Sequence, residues 1–238
     1  EQGLGDALFF LRFARELAAR GAELAIECPP RLSPLIASRI LIAPPGDAAR
    51  IQIWLGDLPA LLETEATPEA FPLDVDEDER ERMRVRLAKC GPPPYLGLSW
   101  RAGTDVVRGR EFGGNLSLLS KEIAPRLLGE ALRGWSGTLL SLQRNPLPED
   151  VQALAQAAGA AVHDLSETND RLPEVAALLA LLDEYVAVSN TNIHLLAGLG
   201  ATARVLVPHP PEWRWMRRDG PSEWFAAFPV YRQPPRMD

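Results

Sequence analysis

Cysteine is scarce in this chain. The 238 residues contain two, Cys28 and Cys90. They lie far apart, so a disulfide-stapled scaffold is excluded, and the expectation is two buried thiols in a reducing, cytoplasmic setting. Histidine is also rare. His163, His194 and His209 show no ligand spacing with Cys or with paired carboxylates, so no metal site is expected. Long apolar runs are missing, and none approaches the about 18 residues that a membrane-spanning helix requires. No signal peptide is read at the start of the chain. Positive charge is in deficit, 25 Lys and Arg against 32 Asp and Glu, for a net charge of −7. That argues against a nucleic-acid partner, whose phosphates call for a basic face. No GxSxG nucleophile elbow and no Walker motif is present. The chain also lacks an initiator Met and opens on a glycine loop, which reads as a fragment or as a missing first strand.

What is present is an alternation. Five apolar runs in the second half, Tyr95–Trp100, Thr138–Gln143, Ala161–Leu165, Tyr185–Asn190 and Ala203–Pro208, each end in polar residues and are separated by helical patterns. Strands alternating with helices predict β-α units and a parallel sheet. Ligands of such sheets bind beyond the carboxyl ends of the strands. Here those ends carry Ser99, Trp100 and Arg101, then Gln143 and Arg144, then Asp164, Asn190 with Thr191, and His209.

The first half reads as a smaller α/β unit. Asp6–Arg20 predicts an amphipathic helix stopped by Gly21. Glu23–Cys28, Ile40–Ala43 and Ile51–Leu55 predict strands, with short helices at 31–38 and 59–63. The acidic run Asp74–Glu81 reads as a solvated helix start or linker, followed by helix over 80–89. Gly91–Pro94 is the sharpest break, and it suggests domains at 1–90 and 91–238. Beyond it, the glycine-rich stretch Arg101–Asn115 reads as a mobile loop over a cleft, and Leu116–Trp135, Pro148–Ala158, Leu172–Leu182 and Thr191–Leu199 read as helices.

Five constellations carry chemical interest. In Gly3-Leu4-Gly5-Asp6 the glycines let a ligand approach the backbone, and Asp6 either caps the helix or faces the cleft. Ser189-Asn190-Thr191-Asn192-Ile193-His194 opens a helix after a strand. Free helix N–H groups there suit a diphosphate, although an N-cap by Asn190 or Thr191 and a packed His194 explain the same residues. In Trp100–Thr104, Arg101 either clamps a phosphate or pairs with an acid. Gln143 either bonds a base or ribose or satisfies loop backbone. The segment His209–Arg218, with Trp213 and Trp215, reads as a packed corner with solvated arginines.

Taken together, GLGD before an amphipathic helix, then GLSWRAGT, SLQ, SNTNIHLLAGLG and VLVPHPPEWRW, resemble the heptosyltransferase-like glycosyltransferases (family 9 type). The likeness is to a bacterial branch often fused to tetratricopeptide repeats, and it covers nearly the whole chain. It implies a GT-B fold of two Rossmann-like α/β domains, acceptor side first and nucleotide-sugar side second. It also implies metal-independent transfer with inversion, with no cofactor. Asp6 matches the family's proposed general base. Thr191 and His194 match the donor-diphosphate motif, with Ser99, Arg101, Gln143, Asn190 and Asn192 nearby on the donor side. The implied partners are a nucleotide-sugar donor and a protein, glycan or lipid acceptor.

One departure stands out. The family usually has Asp-Thr where this chain has Asn190-Thr191, which leaves the donor sugar open. Two alternatives remain: a catalytically silent nucleotide- or sugar-binding module of a larger protein, and a GT-B epimerase.

Overall fold

The computed structural model describes residues 3–44, 46, 51–63, 66–102, 121–217 and 219–235. Helix α1 spans Leu4–Ala19 and starts two residues earlier than the apolar pattern predicts. It buries Ala7, Leu8, Phe9, Leu11, Phe13 and Ala14, each large apolar side chain contributing about 1.5–3 kcal/mol. Gly21, at φ +91°, ends it in the left-handed region that only glycine occupies without strain. Strands β1 (Ala25–Ile26) and β2 (Leu41–Ile42) pair in parallel, with the short helix α2 (Ser33–Ile36) between them.

The strand predicted over Ile51–Leu55 does not form. Leu55–Asp57 is a 3-10 turn leading into α3 (Leu58–Leu62). Ile51 and Trp54 are each 74% exposed, so the apolar run has no partner face to bury against. The acidic run does start a helix, α4, over Glu77–Cys90. Asp76 caps it by accepting from the Glu79 amide at 2.9 Å, and Glu77, Asp78 and Glu79 complement the positive end of its dipole.

The second half builds the sheet. Its strands are β3 (Tyr95–Ser99), β6 (Thr138–Ser141), β7 (Val162–Asp164), β8 (Glu184–Val188), β9 (Arg204–Val207) and β10 (Val230–Arg232). Between them, β4 (Arg101–Ala102) and β5 (Lys121–Glu122) form a small antiparallel pair. The helices are α5 (Pro125–Ala131), α6 (Pro148–Ala158), α7 (Leu172–Leu179) and α8 (Thr191–Gly198). The large sheet is parallel throughout, in the order β10-β9-β8-β3-β6-β7. The predicted α/β class is observed.

Two readings in this half change. The helix expected over Leu116–Trp135 is shorter. Residues 116–120 lie outside the described set, Lys121–Glu122 pair as a strand, and helix occupies Pro125–Ala131, with Pro125 in its first turn. Of the loop expected over Arg101–Asn115, residues 103–115 also lie outside the described residues. Strand β10 carries no sequence signal, because three residues after a proline are too short to show a period.

Side chains alternate across the sheet as period two requires. Leu96, Leu98 and Leu139 join Trp100, Leu128 and Leu154 in a core on one face. Leu140 and Tyr185 join a larger core on the other, which continues through α7 and α8 into α1. Cys28 and Cys90 are free and half-buried rather than fully buried.

Candidate functional site

The chain reverses direction across the sheet at β3. Strands β6 and β7 add on one side, and β8, β9 and β10 on the other. Crevices at such switch points, beyond the carboxyl ends of the strands, are where open parallel sheets bind ligands. The ends of β3 and β8 meet there, carrying Ser99 and Ser189-Asn190.

A buried hydrogen-bond network ties the two ends together. The Tyr185 hydroxyl donates to Ser99 Oγ at 2.8 Å and accepts from Nδ2 of both Asn190 and Asn192 at 3.1 Å. Burial pushes the Tyr185 phenol up, against the opposing hydrogen bonds from Ser99, Asn190 and Asn192, so it stays protonated and able to donate. Gly97 makes room for the ring, since a Cβ there would sit 2.9 Å from Tyr185 Cδ2. Asn190 is the N-cap of α8, its Oδ1 accepting from the Ile193 amide at 3.3 Å. The amides of both asparagines are thus held by protein groups.

Helix α1 brings the first glycine motif to the same place. A Cβ on Gly5 would lie 3.3 Å from His194 Cδ2 and 3.6 Å from Thr191 Oγ1. The amino-terminal turns of α1 and α8 therefore touch, although the two motifs lie far apart in the sequence. Partial positive charge from two helix ends converges there. His194 is 7% exposed, with its ring near Phe9 and Phe225 at 6.0 and 5.3 Å. Burial, reinforced by Arg214, Arg12 and Lys121, holds its pKa well below the usual imidazole value, so it is neutral. Its Nδ1 is buried without a hydrogen-bond partner among the described residues.

Asp6 is not the helix cap. Gly3 occupies that position, and Asp6 Oδ1 accepts from Arg214 Nη2. Arg214 corrects the reading of the 209–218 segment, because it is 8% exposed rather than solvated. Its guanidinium lies 4.2 Å from the Trp213 ring and 5.1 Å from that of Phe9. Trp215 is packed as expected, fully buried and stacked on Phe225 at 5.1 Å, whereas Trp213 is 42% exposed. Glu212 accepts from Ser189 Oγ at 2.5 Å, from Trp215 Nε1 at 3.0 Å and from Lys121 Nζ at 2.7 Å. Burial raises its carboxyl, but Lys121, Ser189 and Arg214 outweigh that and hold it below the usual range.

The other predicted residues lie on the β3–β6 side. Gln143 is 3% exposed. Its Oε1 accepts from the amides of Trp100 and Arg101 at 3.0 and 2.8 Å, and its Nε2 donates to the Arg144 carbonyl at 3.0 Å. Its amide satisfies loop backbone. Arg101 donates to the Asn145 carbonyl at 3.0 Å.

Sequence reasoning missed Tyr185, Lys121, Glu212 and Arg12. Arg12 is 2% exposed and donates to the carbonyls of Phe9 and Trp224 at 3.1 and 3.0 Å. Burial, then Arg214, lowers its pKa to about 10. A charged residue inside the apolar face of a predicted helix was the signal available for Arg12. Among the described residues, no group of three or more His, Cys, Asp or Glu gathers as a metal set would.

No protein-family model matches the chain. The chain is 27% identical over 266 residues to Protein FlbA of Caulobacter vibrioides (strain ATCC 19089 / CIP 103742 / CB 15), covering 98% of this chain and 41% of FlbA. It thus spans about two fifths of that relative's length. Among solved structures, it is similar to the glycosyl transferase family 9 from Veillonella parvula DSM 2008. That match has 12% identity and a TM-score of 0.47, over 97% of this chain and 67% of the other. A likeness of that depth carries no functional argument.

Proposed function

We propose that this chain is the transferase part of a metal-independent, inverting GT-B glycosyltransferase. In this reading, residues 1–90 face the acceptor and residues 91–238 hold a nucleotide-sugar donor. The observation that carries the proposal is the meeting of Gly5-Asp6 at the start of α1 with Thr191 and His194 at the start of α8. A carboxylate thus stands beside two convergent helix amino termini. That is the pairing an inverting transfer needs, a base for the incoming hydroxyl and N–H dipoles for the outgoing diphosphate.

The acceptor oxygen forms a bond to the anomeric carbon while the bond from that carbon to the phosphate oxygen breaks. The acceptor's proton passes to the Asp6 carboxylate, and the bonding pair leaves on the diphosphate. The neutral His194 contributes a polar edge, not a charge, to the donor side.

The test is a thermal-shift titration, without metal, against UDP, GDP, ADP, CMP and their common sugars. A ligand that binds only the folded chain raises the melting temperature with concentration. A dose-dependent rise with one nucleotide, followed by sugar transfer that Asp6→Asn abolishes, is the expected result. No rise with any of them overturns the donor site. Transfer that survives Asp6→Asn removes the base.

A further inference from the structure

We propose that Arg214, rather than Arg101, is the cation that receives the donor's diphosphate, and that Asp6 competes with this ligand for it. The inference rests on the glycosyltransferase reading above and adds the residue that takes up the leaving group's charge.

The site is built and its donors are underused. Arg214 sits on a 3-10 turn, Trp213–Trp215, that is fixed at several points. Ser222 Oγ donates to the Arg214 carbonyl at 2.7 Å, and the Trp215 indole donates to Glu212 at 3.0 Å. Aromatic rings flank the guanidinium. A guanidinium has five N–H donors. Nη2 spends its bond on Asp6. The contact of Nη1 with Glu212 is 3.9 Å, beyond hydrogen-bond range. Nε is buried with no hydrogen-bond partner among the described residues. Buried donors are almost always satisfied, and a cation left with spare ones is poised for an oxygen-rich anion.

Its position fits the same ligand. Asp6 follows Gly5, which touches Thr191 and His194 at the start of α8. Glu212, two residues before Arg214, accepts from Ser189, the residue before the N-cap of that helix. Nδ1 of His194 is a second buried atom in the same place without a partner among the described residues. Three cations, Arg12, Lys121 and Arg214, face two carboxylates, Asp6 and Glu212, while His194 is neutral. Among the described residues, the cluster carries an excess of positive charge that a diphosphate offsets. Arg101, by contrast, has its guanidinium on the Asn145 carbonyl at the β6 end of the sheet.

The arrangement couples the two halves of the reaction. In the structure Asp6 and Arg214 neutralise one another. When diphosphate oxygens take the guanidinium in its forked geometry, Asp6 loses its partner and becomes free to accept the acceptor's proton. As the glycosidic bond to the donor breaks, the electron pair that moves onto the phosphate oxygen develops charge beside Arg214.

Isothermal titration of inorganic pyrophosphate, and of UDP, GDP, ADP and CDP, into wild type, Arg214→Gln, Arg214→Lys and Asp6→Asn tests this. Pyrophosphate isolates the diphosphate contact from base recognition. Arg214→Gln is expected to weaken binding at least about tenfold, with Arg214→Lys in between because it keeps the charge and loses the fork. Asp6→Asn is expected to tighten binding, because the guanidinium's charge is no longer offset. That gain is expected to shrink in an Arg214→Gln background, which a merely structural Arg214 does not produce. If Arg214→Gln does not fold, Arg214→Lys and Asp6→Asn decide the matter.

Wild type that binds a nucleoside diphosphate with affinity unchanged in all three variants overturns this inference and leaves the donor reading intact. Weaker binding by Asp6→Asn also overturns it. Wild type that binds none of these ligands overturns both.

Discussion

Tyr185 and Ser99 face each other hydroxyl to hydroxyl at 2.8 Å, across the gap between the two strands where the sheet reverses direction. The same phenol oxygen accepts from Asn190 and Asn192. One buried atom thus holds the end of β3 against the first turn of α8. The two strand ends that frame the candidate donor site are fixed by polar bonds rather than by packing alone.

Tyr185→Phe removes that atom and little volume. It leaves one hydroxyl and two amide groups without their partner in a buried setting, each costing about 1–3 kcal/mol when unsatisfied, with partial relief by water. The expected loss is about 2–5 kcal/mol by urea denaturation, with the m-value unchanged. A loss below about 0.5 kcal/mol would show that the network carries no stability.

Asn190→Asp tests the departure from the Asp-Thr pattern of the resembling family. Asn and Asp cap helices about equally well, so the cap on Ile193 is retained. An ionised Asp cannot donate, however, and the bond from Nδ2 to Tyr185 is lost. A net destabilisation of about 1 kcal/mol is expected. Pyrophosphate affinity is also expected to fall, because a negative charge now stands at the helix amino terminus. Tighter binding by the variant would contradict a diphosphate at this end of α8.

Gly198→Ala reverses the usual sign of such a change. In an open helix Ala stabilises relative to Gly by up to about 1 kcal/mol. At Gly198 a Cβ would meet Leu73 Cγ at 2.6 Å and the Phe71 carbonyl at 2.8 Å, where the 71–73 segment crosses α8. The Leu73 amide also donates to the Gly198 carbonyl at 2.9 Å, so the backbone cannot move off easily. Overpacking of this kind costs about 1–3 kcal/mol, and a lowered melting temperature is expected. An unchanged or raised value would mean that the crossing segment does not pack there.

Stability is expected to fall on mild acidification through His194. Its folded pKa lies well below the unfolded value of 6.5, so the unfolded chain binds more protons below that pH. The contribution is full above pH 6.5 and is lost as pH falls from there toward the folded pKa, by up to about 1.4 kcal/mol per pH unit. Glu212 acts in the same direction but below its ordinary 4.5, so the window from pH 6.5 to 5 isolates the histidine. His194→Gln is expected to flatten the slope of denaturation free energy against pH in that window. An equal slope in both proteins would place His194 in contact with water.

The helices and strands of the second half were legible because each run is either continuous and apolar or carries a clear stop. Pro148–Ala158 matches residue for residue, with proline and two acids in its first turn and Gly159 after its end. Where the pattern was weak, neighbours decided. Ile51–Leu55 has the composition of a strand but no ladder forms, and the three residues of β10 pair only because β9 offers an edge.

By itself the sequence determined the α/β alternation, the parallel sheet and the polar strand ends, all of which follow from local periodicity and turn chemistry. It also held the two helix-opening motifs and left each open between cap and site. Tertiary structure decided which of those residues meet. It placed Gly5 against Thr191 and His194, turned the Gln143 amide inward onto the backbone, and buried Arg214 against Asp6 where a solvated arginine was expected. Such partners lie too far apart in sequence for local propensity to encode. They are selected when α1, α8 and the 209–217 segment bury their apolar faces in one core, and the charges they carry must then find one another.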